Sequence, residues 1–123
     1  MATIDALSFT ITRTSHPVGH ICQVEYSYYL KIDAQRYQMG DGFSVIVQLH
    51  GEDTLLDQSL GKSFYDAHVV DHHQTMPVTR HFVVPCEVLD EAIGVDRIYL
   101  KLIVKSSDGE VLSQRSATIK DRF

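Results

Sequence analysis

Apolar residues recur along this chain at every second position rather than at the 3.6-residue period of a helix, which is the pattern of a strand with one buried face. The longest run is Cys22, Val24, Tyr26, Tyr28, Leu30 and Ile32, set against Gln23, Glu25, Ser27 and Lys31. An earlier strand is predicted from Leu7, Phe9 and Ile11, and a third from Phe43, Val45, Val47 and Leu49. A shorter one follows at Phe64, His68 and Val70, a fifth at Phe82, Val84, Cys86 and Val88, and a sixth at Ile98, Leu100, Leu102 and Val104. Asp108-Gly109 then sits between two β-rich runs, where a tight hairpin tolerates positive φ, so Glu110 to Ile119 is expected to return antiparallel. No amphipathic helix of three turns can be drawn. The pattern predicts an all-β chain: a single antiparallel β-sandwich of seven to eight strands, Ig-like or C2-like in outline, forming one domain over residues 1–123.

One six-residue pattern occurs twice, as Leu56-Asp57-Gln58-Ser59-Leu60-Gly61 and as Leu89-Asp90-Glu91-Ala92-Ile93-Gly94. Both copies read as one-turn connectors, with Asp capping the first amides, Leu or Ile entering the core and Gly ending the turn. Carboxylates collect at these corners, Glu52, Asp53 and Asp57 at the first and Asp90, Glu91 and Asp96 at the second. The segment from Gly51 to Gly61 resembles the calcium loop of C2 domains, where spaced aspartates precede an Ile/Leu-Gly pair. It departs from that loop in having Gly or Glu for the leading aspartate and a short spacing to the later one. The corners are therefore read as solvated acidic turns, with ion or small-ligand binding as the alternative.

With 123 residues the chain is the size of one domain. It carries 11 Lys+Arg against 16 Asp+Glu, a formal charge of −5, with no basic block longer than a residue or two. That disfavours nucleic acid and anionic membrane as partners. The N-terminus shows neither a basic n-region nor a long apolar stretch, so the expected location is cytoplasmic. Cys22 and Cys86, both on apolar parities, are accordingly expected to be two reduced, buried thiols.

Seven histidines hold the sign of the charge, since protonating all of them would reverse it. The densest run, His68 to His73, could supply metal ligands only from a loop, because on a strand His72 and His73 face opposite ways. Asp66, Asp71 and His81 are the remaining candidates, and no second ligand pair at a recognised spacing appears. His68 is read as a core-edge imidazole held by a backbone carbonyl. Only it and His81, inside predicted strands, are expected to couple protonation to folding. No Gly-x-Ser-x-Gly elbow or phosphate-cradling glycine loop is present, so neither catalytic residues nor a cofactor are assigned.

What remains is the polar side of the strands, which Ile21, Tyr29, Ile46, Tyr99 and Ile103 interrupt. Apolar residues on neighbouring strands would form a contact patch. The run from Ser44 to Leu49 also lacks a charge or proline to protect an edge from pairing. The sequence thus predicts a non-enzymatic binding or assembly module whose partner is protein, most simply a second copy of the chain, with Tyr29, Ile46, Tyr99 and Ile103 as interface anchors.

Overall fold

Alternation with one apolar parity makes each strand half-buried, and such strands are stable only when two sheets cover each other's apolar sides. A computed structural model of the chain shows this arrangement; it describes residues 3–16, 19–32, 41–51, 58–69, 75–89 and 96–121. The strands are β1 (Thr3–His16), β2 (Gly19–Lys31), β3 (Gly42–Gly51), β4 (Gln58–Val69), β5 (Thr75–Pro85), β6 (Asp96–Ser106), β7 (Val111–Arg115) and β8 (Ile119–Asp121). All pair antiparallel. A three-stranded sheet has the order β1-β2-β5, and a five-stranded sheet has the order β4-β3-β6-β7 with β8 also on β6.

The expected parities meet in one core. Val24, Tyr26, Tyr28 and Leu30 from β2 face Val45, Val47 and Leu49 from β3 and Leu100, Leu102 and Val104 from β6. The last hairpin forms where Asp-Gly predicts it. Ser107, Asp108 and Gly109 make its loop, Gly109 takes φ +90°, and the Ser106 hydroxyl bonds to the Asp108 carboxylate. Between β7 and β8 the ladder on β6 is interrupted. There the Ser116 hydroxyl accepts the Leu100 N–H at 2.9 Å, and the Ser116 N–H returns to the Leu100 carbonyl at 2.9 Å.

Four expectations are corrected. The fifth strand stops at Pro85, and Cys86–Val88 form a turn of 3-10 helix that carries Leu89 into the core. Of the first six-residue pattern, Gln58 to Gly61 belong to β4 rather than to a connector, because Leu60 pairs with Leu49 across a bulge and extends the strand. Leu56, Asp57 and the stretch from Asp90 to Gly94 lie outside the described residues. The run from Ser44 to Leu49 is not an edge, since β3 is paired on one side with β4 and on the other with β6. Finally, Cys22 and Cys86 are joined as a disulfide, with a Cα–Cα distance of 5.1 Å. Burying both thiols on one parity of β2 and at the end of β5 brought them within bonding range, which parity alone could not reveal.

Candidate interaction surface

The sheet order distributes the four expected anchors over two opposite surfaces. Tyr29 faces outward from the three-stranded sheet and is 47% exposed. Ile46, Tyr99 and Ile103 face outward from the five-stranded sheet, on β3 and β6. Ile46 and Ile103 are direct cross-strand partners and both are half-buried. On the other side of Ile46 the register places Tyr65 of β4, 77% exposed. Tyr65, Ile46 and Ile103 therefore form one row across three strands, within the roughly 5 Å Cβ separation of cross-strand neighbours. Tyr65 escaped the sequence reading although it alternates with Phe64 and Asp66; the short, weakly patterned fourth strand hid its parity.

Tyr99 is different. Its side chain is only 5% exposed. The His50 ring stacks beside it with centroids 5.2 Å apart and planes 11° from parallel, and the Arg115 guanidinium lies 3.7 Å above its centroid. Arg115 is held in turn by Thr118, and the His50 Nε2–H donates to Gln48 Oε1 at 3.0 Å. Gln48 then donates to Ser63 Oγ at 3.1 Å. Tyr99 is thus a platform beneath other side chains rather than an exposed anchor. The cation over its ring adds about 0.5–1 kcal/mol at such a site.

A second cluster lies between the sheets. β4 is an edge of the five-stranded sheet and β5 an edge of the three-stranded one, and side chains span the seam. Phe64 stacks on Phe82 at 4.0 Å, and Arg80 Nε donates to Asp66 Oδ2 at 3.0 Å. Deeper in, Tyr28 Oη lies 2.9 Å from His68 Nε2, and Asp66 Oδ2 is 3.7 Å from that same nitrogen. Burial pushes the Tyr28 hydroxyl well above the ordinary tyrosine range, with Tyr26 and Asp66 adding to it. Tyr26 is pushed up to about 12 by burial and by Asp66. Burial lowers His68, Asp66 opposes that shift, and Arg80 adds to it. The Tyr28 hydroxyl and His68 Nε2 thus share one hydrogen bond, whose donor follows the tautomer of the imidazole.

His68 is at the core edge as expected, but a tyrosine hydroxyl rather than a backbone carbonyl holds it, because its Nε2 faces β2 across the sheet gap. The signal that could have found this cluster was present in the sequence. Asp66 and Arg80 are charged residues on the same parity as Phe64 and Phe82, and a charge on a buried parity requires a partner. Its hydrogen bonds are made internally, so the cluster acts as a clamp between two edge strands. His81 and His20 are exposed, while Asp71, His72 and His73 and the acidic residues 52–57 and 90–91 lie outside the described residues. Among the described residues no group of three or more His, Cys, Asp or Glu is placed to hold a metal, and no helix is long and apolar enough to cross a membrane.

The fold defines the class as a two-sheet antiparallel β-sandwich. No family model matches the chain, and no curated protein matches it. Among solved structures it is similar to a Bordetella pertussis protein provisionally named ApaA, at 10% identity and a TM-score of 0.45, over 100% of this chain and 94% of that one. It is also similar to a DUF4466 family protein from Parabacteroides merdae, at 14% identity and a TM-score of 0.45. That likeness covers 97% of this chain but only 46% of the other. TM-scores of this size support no functional assignment.

Proposed function

We propose that this protein is a non-enzymatic binding or assembly module that works through the outer face of its five-stranded sheet. The observation that carries the reading is the row Tyr65, Ile46 and Ile103, which ends at the β4 edge in a tyrosine ring 77% exposed. Exposed tyrosine beside half-buried isoleucine is the composition of an interface centre, where a rigid ring gains contact area at small entropic cost. A second copy of the chain is the first partner to test. With Tyr29 on the opposite sheet, the expected anchors can meet only if copies stack head to tail. Sedimentation velocity from about 1 to 100 µM tests it: a concentration-dependent increase that Tyr65→Ser with Ile103→Ser abolishes supports self-association. A monomer at every concentration removes the second copy as partner.

The compartment turns on the disulfide. Cytoplasmic placement requires Cys22 and Cys86 to be thiols there, whereas the bond between them favours an oxidising compartment. Alkylating the protein at the moment of extraction and counting free thiols separates the two; a fully bonded pair sinks the cytoplasmic placement.

A further inference from the structure

The five-stranded sheet turns a basic surface outward although the chain as a whole is acidic. Arg97, Lys101 and Lys105 are four residues apart on β6, so the strand's period of two puts all three on the outward side, about 13 Å from one to the next. The register sets Arg115 of β7 beside Lys101 and Lys120 of β8 beside Arg97. Five of the 11 cations of a chain with formal charge −5 therefore share one face. Among the described residues no carboxylate occupies an outward position on these strands. No ion pair among the described residues involves Arg97, Lys101, Lys105 or Lys120. The apolar row enters this surface at Ile103, between Lys101 and Lys105.

We infer that this face binds an acidic polypeptide segment that also carries apolar side chains. The inference rests on the contact-face reading above and specifies the partner's chemistry. Two copies meeting face to face would bring like charges together, which disfavours that mode of self-association. Single-stranded nucleic acid needs free aromatic faces for its bases. Tyr99 offers none, since Arg115 covers it and His50 flanks it, and Tyr65 is a single exposed ring at the β4 edge rather than a succession of them. A carboxylate-rich segment finds Lys101 and Lys105 on either side of Ile103, so these charges fix its placement while Tyr65, Ile46 and Ile103 exclude water.

The test uses fluorescence anisotropy with a labelled random Glu–Tyr copolymer as the probe, and polyglutamate and a dT oligonucleotide as comparisons. The copolymer is expected to bind more tightly than either. Its affinity should fall roughly tenfold or more between about 50 and 300 mM NaCl as exposed charges are screened. Lys101→Glu with Lys105→Glu should weaken it by a similar factor, and Lys105→Glu alone by less. Lys31→Glu, on the opposite sheet, should leave it within about twofold. Tighter binding of the oligonucleotide, or equal losses from Lys31→Glu and the β6 variants, overturns the inference. If Tyr65→Ser abolishes binding while the lysine variants do not, the face is a contact surface but its preference for acidic partners is refuted. If no substitution on the face matters, the contact-face reading itself fails.

Discussion

Replacing Tyr28 by Phe removes a single oxygen from the clamp between the sheets and leaves the ring in place against Tyr26 and His68. The lost bond is the 2.9 Å contact to His68 Nε2, on a side chain only 9% exposed. A neutral hydrogen bond contributes about 1 kcal/mol net, and leaving the buried nitrogen without a partner raises the cost to about 2 kcal/mol. For a chain of this size each kcal/mol lowers Tm by roughly 3–6 °C. Stability depends on pH in a defined direction. Burial lowers the folded-state value of His68 below its unfolded value near 6.5. The unfolded chain therefore binds the proton first, so stability is full above pH about 6.5 and is lost as pH falls from there through the folded-state value. The slope this one group adds is at most about 1.4 kcal/mol per pH unit. Tyr28→Phe is compared with wild type at pH 8, where the imidazole is neutral, so that the loss there reads the hydroxyl contact itself. Urea melts of wild type, Tyr28→Phe and His68→Gln at pH 8, 6.5 and 5 measure all of this. A Tyr28→Phe midpoint equal to wild type at pH 8, or a His68→Gln variant that keeps the wild-type loss between pH 6.5 and 5, would refute the reasoning.

Other outcomes follow from particular contacts. Ser116→Ala should cost about 1–3 kcal/mol in a denaturant melt, because the Leu100 N–H inside β6 loses its acceptor. A variant within experimental error of wild type would mean that the strand closes the gap by itself. Reducing the Cys22–Cys86 bond, which closes a loop across a sequence separation of 64, should lower stability by about 4 kcal/mol on the chain-entropy estimate. Matched melts with and without reductant measure it, and equal midpoints would contradict the estimate.

Parity in the sequence already determined that strands would form, which residues they would bury, and that two sheets would be needed to cover them. Alternation is a local property, readable wherever the strand is long, as in Cys22 to Ile32. The last hairpin was legible for the same reason, because Asp108-Gly109 encodes its own turn. Partners were not legible. Parity says that Tyr28, Asp66, His68 and Arg80 point inward, but only the sheet order, with β4 and β5 at facing edges, brings them together. The same holds for the disulfide, whose two cysteines are far apart in the chain and 5.1 Å apart in space at their Cα atoms.

The surface shows the difference most clearly. A count of charges describes an acidic chain without a basic block, and that count is correct. Residues 97, 101, 105, 115 and 120 form a block only after β6, β7 and β8 are laid side by side, since a sheet gathers every second residue of several strands onto one plane. Tyr29 and Ile46 show the reverse, being alike in sequence as outward apolar residues and yet assigned to opposite surfaces. Local periodicity determines which side of its own strand a residue takes; strand order and register decide which residues share that side.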